Sequence, residues 1–467
     1  MSGAWADVHG QATNYDPRPL RVEHVFGLAR AQGLPTALAA GPKAQQLFAP
    51  HVQKAATLAE GAETAPLEDY LAVLASQAEE DARLLQASTR GLTVLEIHVV
   101  DDAGHGWGSA SEEYARAAAL ADDAVRRLAS GLDLGRATLV VTGDHGHVAE
   151  GGHGGPEPEV MGVPLVMAGA GVRAGARGDC LQVDVAPTLS ALLGLPLPAA
   201  SRGRALVEAL AIADAARLDW LRATVEQRRA FAERYRAWLS GNGVAPATFS
   251  ASARDEPMLW RTLEDGEREM AEAREARQEH ERRGRLPWAL ALAVPPLLVL
   301  GGLRAAGAIH GRELLLAGGA AVAGVALYHG LLPVAGLRYS LTAVNKDEWL
   351  AAYFRRDMAL SLAAAAVAVA GALGFARRRW GAGVRTLGRV AWTTAAAFAG
   401  LLLLKVAFVY WRHAVIVDWH LPDQYRAFGF YLDVLALMAV GLAGPLFALV
   451  AWPVSRLVAP TAASPPR

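Results

Sequence analysis

VVTGDHGHVAEGGHGG, residues 140–155, sets three histidines, one aspartate and six glycines directly behind a short apolar run. A run of this kind ending in a polar, glycine-rich turn is the pattern of a buried strand that presents side chains at its tip, where α/β proteins place their chemistry. Gly143 and Gly146 allow a turn around the adjacent Asp144 and His145. Gly151, Gly152, Gly154 and Gly155 allow the chain to bend sharply and bring His153 back toward them. Taken alone, the stretch reads either as half of a metal site or as a solvated Gly-His turn.

Working outward, LTVLEIHVV (92–100) is a second apolar run, expected as a strand whose tip carries Asp101-Asp102-Ala103-Gly104-His105 in a loop. An aspartate and a histidine four residues apart across a glycine turn can converge on one cation. VPLVMAG (163–169) reads as a third strand. Between the first two lies SEEYARAAALADDAVRRLAS (111–130), apolar at helical spacing with an acidic first turn. VDVAPTLSALLGLPLP (183–198) reads as a short helix stopped by Gly194 and Pro196. Strands alternating with helices make residues 1 to 205 an α/β unit.

Carboxylate and imidazole donors suit zinc, manganese and similar divalent ions. Asp101, His105, Asp144, His145 and His153 are five donors, more than one tetrahedral ion takes, so two divalent ions are expected. Zinc is the first candidate and manganese the alternative. His98 is read as a packed residue, or a partner behind the ligands, rather than as a ligand.

In sum, a strand, DxxGH, a helix, a strand, GDHG, HGG and then QVDVAPTLSALLGLPLP (182–198) resemble the alkaline phosphatase superfamily. The branch they are similar to is that of type I phosphodiesterases and nucleotide pyrophosphatases, with the membrane-embedded GPI ethanolamine-phosphate transferases. The resemblance implies a mostly parallel sheet with helices on both faces. It implies one ion held by Asp101, His105 and His153 and a second held in part by Asp144 and His145. His147 stands where relatives carry an apolar residue, and its role is left open. SGAWADVHGQATN (2–14) and RVEHVFGLARAQGLPTALAAG (21–41) match the end of the family's N-terminal segment, with Asn14 as a substrate-phosphoryl contact. The family's first strand, nucleophile and first metal-binding aspartate would lie upstream of Met1. Ser2, Thr13 and Thr36 do not sit in the strand-to-helix turn that a nucleophile needs. The expectation is therefore a catalytic nucleophile that is unassigned within this chain, a sheet incomplete at its N-terminus, and no turnover by the chain as written.

The opening MSGAWADVHG has neither the basic start nor the apolar run of a secretory signal. One cysteine, Cys180, excludes an internal disulfide. A net charge of −1 carries no basic footprint, so no nucleic-acid partner is expected. Hydrophobic residues are 53% of the 467, and the excess lies beyond residue 285. Five apolar segments, roughly 287–303, 313–337, 358–376, 390–410 and 428–453, each approach the ~20 residues of a membrane-spanning helix. Within them His329 and Lys405 are ionisable, which marks a polar site or, for Lys405, a side chain that reaches toward the interface. RRRWGAGVRTLGR (377–389), with five arginines, favours a cytoplasmic link and an extracytoplasmic catalytic domain. Arg282, Arg283, Arg285, Arg355 and Arg356 weigh the other way.

The expected organisation is a catalytic domain at 1–210, a charged helical connector at 211–285, an all-α membrane domain of about five helices at 286–454 and a tail at 455–467. The expected function is membrane-anchored, metal-dependent phosphoryl transfer of phosphodiesterase or phosphatase type. Its substrate would be a phosphorylated small molecule or a lipid-linked one. The alternatives are a phosphoethanolamine-type transferase acting on a lipid-linked substrate and a non-catalytic membrane scaffold.

Overall fold

The computed structural model describes residues 1–11, 17–57, 91–240, 255–337, 347–413 and 424–447, with positions 340, 342, 449 and 453 besides. It divides into a unit built from Met1–Glu279 and a second built chiefly from His280–Val417 and Asp423–Arg467.

The first unit runs α1 (Ala6–His9), α2 (Val25–Ala31), β1 (Thr36–Ala40), α3 (Pro42–Phe48), β2 (Lys54–Thr57) and β3 (Leu92–Leu95). It continues through α4 (Val99–Trp107), α5 (Glu112–Ser130), β4 (Thr138–Thr142), α6 (Pro158–Met161), β5 (Leu165–Gly169), α7 (Val185–Leu193) and α8 (Asp214–Ser240). The start of α9 (Glu256–Ala305) closes it. β2, β1 and β3 form a parallel sheet in that order, with Leu38 of β1 between Ala55 and Val94. Leu38 and Ala40 pack with Val25, Phe26 and Ala29 of α2, Leu92 of β3 and Ala186 of α7. This is the α/β class expected. β4 and β5 form a separate pair and run antiparallel, Val140 opposite Met167. The connection 143–164 brings the chain back to the tip of β4, so β5 returns alongside it.

A second difference sits at 92–100. The strand ends at Leu95, and Val99 to Trp107 is helical, so the DxxGH residues lie on a helix and not in a loop. The reason is burial. Val99 and Ala103, one helical turn apart, pack against Ala117 of α5. An apolar run this short fits a strand or a helix face equally well, and tertiary packing decides. α5 begins where its acidic turn places it, with the Ser111 hydroxyl accepting the Tyr114 amide at 3.1 Å. α7 ends at Gly194, which takes a left-handed conformation.

α8 and the first part of α9 bury an apolar stripe: Leu221 and Val225 with Leu259 and Leu263, then Phe231, Ala232, Tyr235 and Leu239 with Met270. Charges line the seam. Glu267 pairs with both Arg202 and the buried Arg228, and Arg236 meets Glu269 at 3.0 Å.

The second unit holds the rest of α9, then α10 (Gly311–Leu331), α11 (Asp347–Trp380), α12 (Val384–His413) and α13 (Gln424–Phe447). Among the described residues, five helices are long and apolar enough to cross a membrane, their best windows averaging hydropathies from 1.7 to 2.1. They coincide with the five apolar segments read from the sequence. α10 to α13 pack around Tyr328, Phe398, Leu402, Leu432 and Ala436. The apolar window of α9 is 6% buried.

Candidate metal centre

α4 divides its labour between two faces. Val99 and Ala103 are buried against α5. Asp101 and His105 stand two residues further on, about 200° around the helix, and share the opposite face one turn apart. The glycine-rich stretch after β4 is folded over that face. Gly146 donates its amide to the Val160 carbonyl at 2.8 Å, while Val148 and Gly152 close a tight turn, with Val148 donating to Gly152 at 3.0 Å. Gly151 has a φ of +96°, and a Cβ there would collide with the Gly104 carbonyl of α4, so the loop can press onto the helix only with glycine at this position. Gln182, from the QVDV motif, anchors the other end by donating its amide to the carbonyls of Asp144 and of Gly143, the latter at 3.4 Å.

Asp101 is the hub. Its Oδ1 lies 3.1 Å from His147 Nε2, 3.6 Å from His153 Nε2 and 3.9 Å from His145 Nε2. Its Oδ2 lies 3.5 Å from His105 Nε2. His105 and His153 approach through their Nε2 atoms at 3.1 Å, and the rings of His145 and His153 stack at 3.8 Å. Burial pushes the Asp101 carboxyl up, but the imidazoles of His105 and His147 beside it, with the charges of His105 and His153, outweigh that and hold it well below the usual carboxylate range. Burial first, and the neighbouring His145 second, lower His153 to about 4. At neutral pH the site therefore offers an ionised carboxylate and an unprotonated imidazole, the forms in which both residues bind metals.

The sequence candidates fall out as follows. Asp101, His105, His145 and His153 converge. Asp144 is beside them with its side chain 83% exposed, its Oδ1 accepting the His145 amide at 3.0 Å and its Oδ2 lying 3.5 Å from His145 Nε2. His145 thus adjoins Asp101 and Asp144 together. Asn14 and Thr13 lie outside the described residues. His98 precedes α4 and engages Glu96, Nε2 to Oε2 at 3.2 Å, and Glu96 in turn accepts the Gly41 amide at 2.9 Å. The Glu96 carboxylate facing it, ahead of the opposing effect of burial, raises the His98 imidazole. The residue left open by the sequence is His147, which is buried within the cluster. Its only signal was the His-x-His spacing with His145.

The site fits a divalent cation on its own chemistry. Asp101 Oδ1 is buried and makes no hydrogen bond of acceptable geometry among the described residues, although three imidazole nitrogens surround it within 3.9 Å. One carboxylate oxygen facing several imidazole nitrogens is a cation's donor set.

Residues 13–154, which contain both halves of the cluster, match a family model. The family is that of type I phosphodiesterases and nucleotide pyrophosphatases. The match agrees with the motif reading. The chain is also similar to curated proteins named GPI ethanolamine phosphate transferase 1. The Homo sapiens protein is 30% identical over 136 residues, 23% of this chain and 14% of that protein. The Aspergillus oryzae protein is 26% identical over 246 residues, 44% and 24% of the two chains. The Neurospora crassa protein is 26% identical over 228 residues, 40% and 23%. The chain spans about a quarter or less of the length of these relatives. No solved structure matches it.

Proposed function

We propose that this chain is a membrane-anchored, metal-dependent phosphoryl-transfer enzyme of phosphodiesterase or phosphatase type. The observation that carries the reading is the convergence of Asp101 and His105 from α4 with His145 and His153 from the loop after β4, inside the stretch that matches the phosphodiesterase family. Asp101, His105, Asp144, His145 and His153 are the donors for two divalent ions, zinc or alternatively manganese. Such ions supply polarisation of phosphoryl oxygens and activation of an attacking oxygen. The chain's own part is to hold Asp101 ionised and His153 unprotonated, and to fix the loop after β4 on α4 through the Gly151 contact and the Gln182 anchor. Exposed Asp144 marks the side from which a substrate reaches the cluster.

A second reading is transfer of a phosphoethanolamine-like group to a lipid-linked acceptor. The names of the similar proteins and the five apolar helices favour it. A lipidic substrate beside the bilayer also gives the spans a purpose that a soluble phosphate ester does not.

The test is hydrolysis of an aryl phosphodiester by the full chain in detergent. Turnover that requires zinc or manganese and vanishes on chelation supports the enzyme reading and overturns the expectation that the chain as written, its nucleophile unassigned, is inactive. Asp101→Ala should lower it on the order of 10³-fold or more, the rate equivalent of the several kcal/mol that metal-held charge contributes. Unchanged turnover in that variant sinks the assignment; bound ion without turnover fits both the expected inactivity of the chain as written and the scaffold. Release of the group onto a lipid-linked alcohol in preference to water distinguishes the transferase.

A further inference from the structure

We propose that a groove along α8 binds a neutral sugar ring, which gives the first unit a carbohydrate site apart from the metal centre. This goes beyond phosphoryl transfer and does not depend on it, since no residue of the cluster at 101–153 lines the groove.

The groove has a volume of about 530 Å³ and lies between α8, the chain just before α2 and the loop after α7. Small-molecule sites span roughly 300–1,000 Å³ and are mostly apolar, with a few polar groups that orient the guest. Phe231, Tyr235 and Trp238 stand at i, i+4 and i+7 of α8, on one face of the helix. The rings of Phe231 and Tyr235 stack at 5.6 Å, and that of Trp238 lies 6.0 Å from Tyr235. The first two are 6% and 5% exposed and form the floor, while Trp238, 54% exposed, stands at the rim.

The polar groups come as one acid and one base, and both hold the backbone of Ala199. Glu23 Oε2 accepts the Ala199 amide at 2.8 Å, and Arg234 Nη2 donates to the Ala199 carbonyl at 3.2 Å. Gln227 donates to the same carbonyl at 2.9 Å and to that of Ser201 at 3.0 Å. Pro196 and Pro198 stiffen the approach to this loop. The wall is therefore set before any guest arrives, which spares the cost of ordering it on binding. Glu23 and Arg234 each spend one atom on Ala199 and keep others for a guest.

Charge decides what the guest is. The Arg202 guanidinium already lies over Phe231 and Tyr235, at 5.7 and 6.0 Å from the ring centroids, and that of Arg274 lies over Tyr235 at 5.9 Å. With Arg234 beside them, an ammonium meets guanidinium groups where an aromatic cage would leave open faces. An anion meets the Glu23 carboxylate. A hydrocarbon takes both charged side chains out of water without pairing them. A neutral sugar ring avoids all three penalties. Its C–H face rests on the aromatic rings, and its hydroxyls donate to the carboxylate and accept from the guanidinium.

The experiment is saturation-transfer NMR on the full chain, held in a detergent without a sugar headgroup. The probes are methyl glucoside, methyl galactoside and methyl mannoside, with glucosamine and glucuronate as their cationic and anionic counterparts. At least one neutral glycoside should take up saturation at its ring protons, and the charged sugars should take up little. Trp238→Ala should weaken that binding about 10-fold, and Trp238→Phe, which keeps a ring, should restore most of it. Glu23→Gln, whose amide oxygen still accepts from Ala199, should keep the neutral glycoside and admit glucuronate. That variant decides the matter if the alanine variant does not fold. No transfer to any of the three glycosides, binding untouched by Trp238→Ala, equal transfer to the charged sugars in the wild type, or a Glu23→Gln chain that still refuses glucuronate overturns the inference. A chain that binds the glycoside but no zinc upholds this inference and overturns the metal reading; zinc uptake without any glycoside binding does the reverse.

Discussion

At the scale of single residues, two histidines in the first unit show how burial selects a protonation state. His153 is held neutral beside Asp101, and His24 is held neutral for a structural purpose. His24 precedes α2, and its Nδ1 accepts the Gly27 amide at 3.3 Å, which only the unprotonated ring can do. Burial, with His51 beside it, lowers its imidazole from 6.5 to about 4. Between those values the unfolded chain takes up a proton that the folded one refuses. Stability is therefore unaffected above about pH 6.5 and falls as pH drops toward 4, by up to about 1.4 kcal/mol per pH unit. His24→Asn, which keeps an acceptor at the cap, should flatten that part of the slope in thermal melts at pH 7 and 5; an unaltered slope contradicts the account. The convergence of positions 101, 105, 145 and 153 was legible because Asp and His flanked by glycine behind apolar runs have few structural uses. His147 was not. Its place beside Asp101 depends on Gly104 of the folded α4, where a Cβ would fall 2.6 Å from the His147 ring.

At the scale of elements, the helical bundle carries its own polar network. Lys405 of α12 meets Asp433 of α13 at 2.9 Å and His329 of α10 at 3.2 Å, while Tyr328 of α10 donates to Asp357 of α11 at 2.7 Å. Asp357 and Asp433 are fully buried. Four helices are thereby tied at the end where α10 and α12 finish and α11 and α13 begin. Lys405→Met and Asp433→Leu should each destabilise the protein in detergent by about 1–3 kcal/mol, because each leaves a charge without its partner. The double variant should cost less than the sum, and strictly additive losses would show that the pair is not coupled. The sequence placed His329 and Lys405 inside apolar spans but could not pair them, because Asp433 lies 28 residues from Lys405 and on another helix. The spans themselves were legible from length and apolarity. The helix at 99–107 was not, because nine residues carry too little periodicity to separate it from a strand.

At the scale of the whole molecule, the chain is an integral membrane protein whose first unit contains the stretch matching the phosphodiesterase family model, and the side on which that unit stands is our proposal. The arginine-rich link at 377–389 favours a cytoplasmic position for the link. One of its five arginines, Arg389, is spent on Glu313, two of its nitrogens approaching the carboxylate at 2.9 and 3.2 Å. That leaves four to weigh against Arg282, Arg283, Arg285, Arg355 and Arg356. Cys180, the chain's one cysteine, is exposed in the first unit. A membrane-impermeant maleimide applied to intact cells should label it if that unit is extracytoplasmic; labelling only after lysis reverses the assignment. The central claim, a metal site built to hold a phosphoryl group, is tested most directly by calorimetric titration of inorganic phosphate into the full chain with and without Zn²⁺. The account predicts that phosphate binds only to the zinc-loaded chain and that Asp101→Ala abolishes binding of both. Phosphate binding that survives chelation, or a zinc-loaded chain that binds no phosphate, would contradict it.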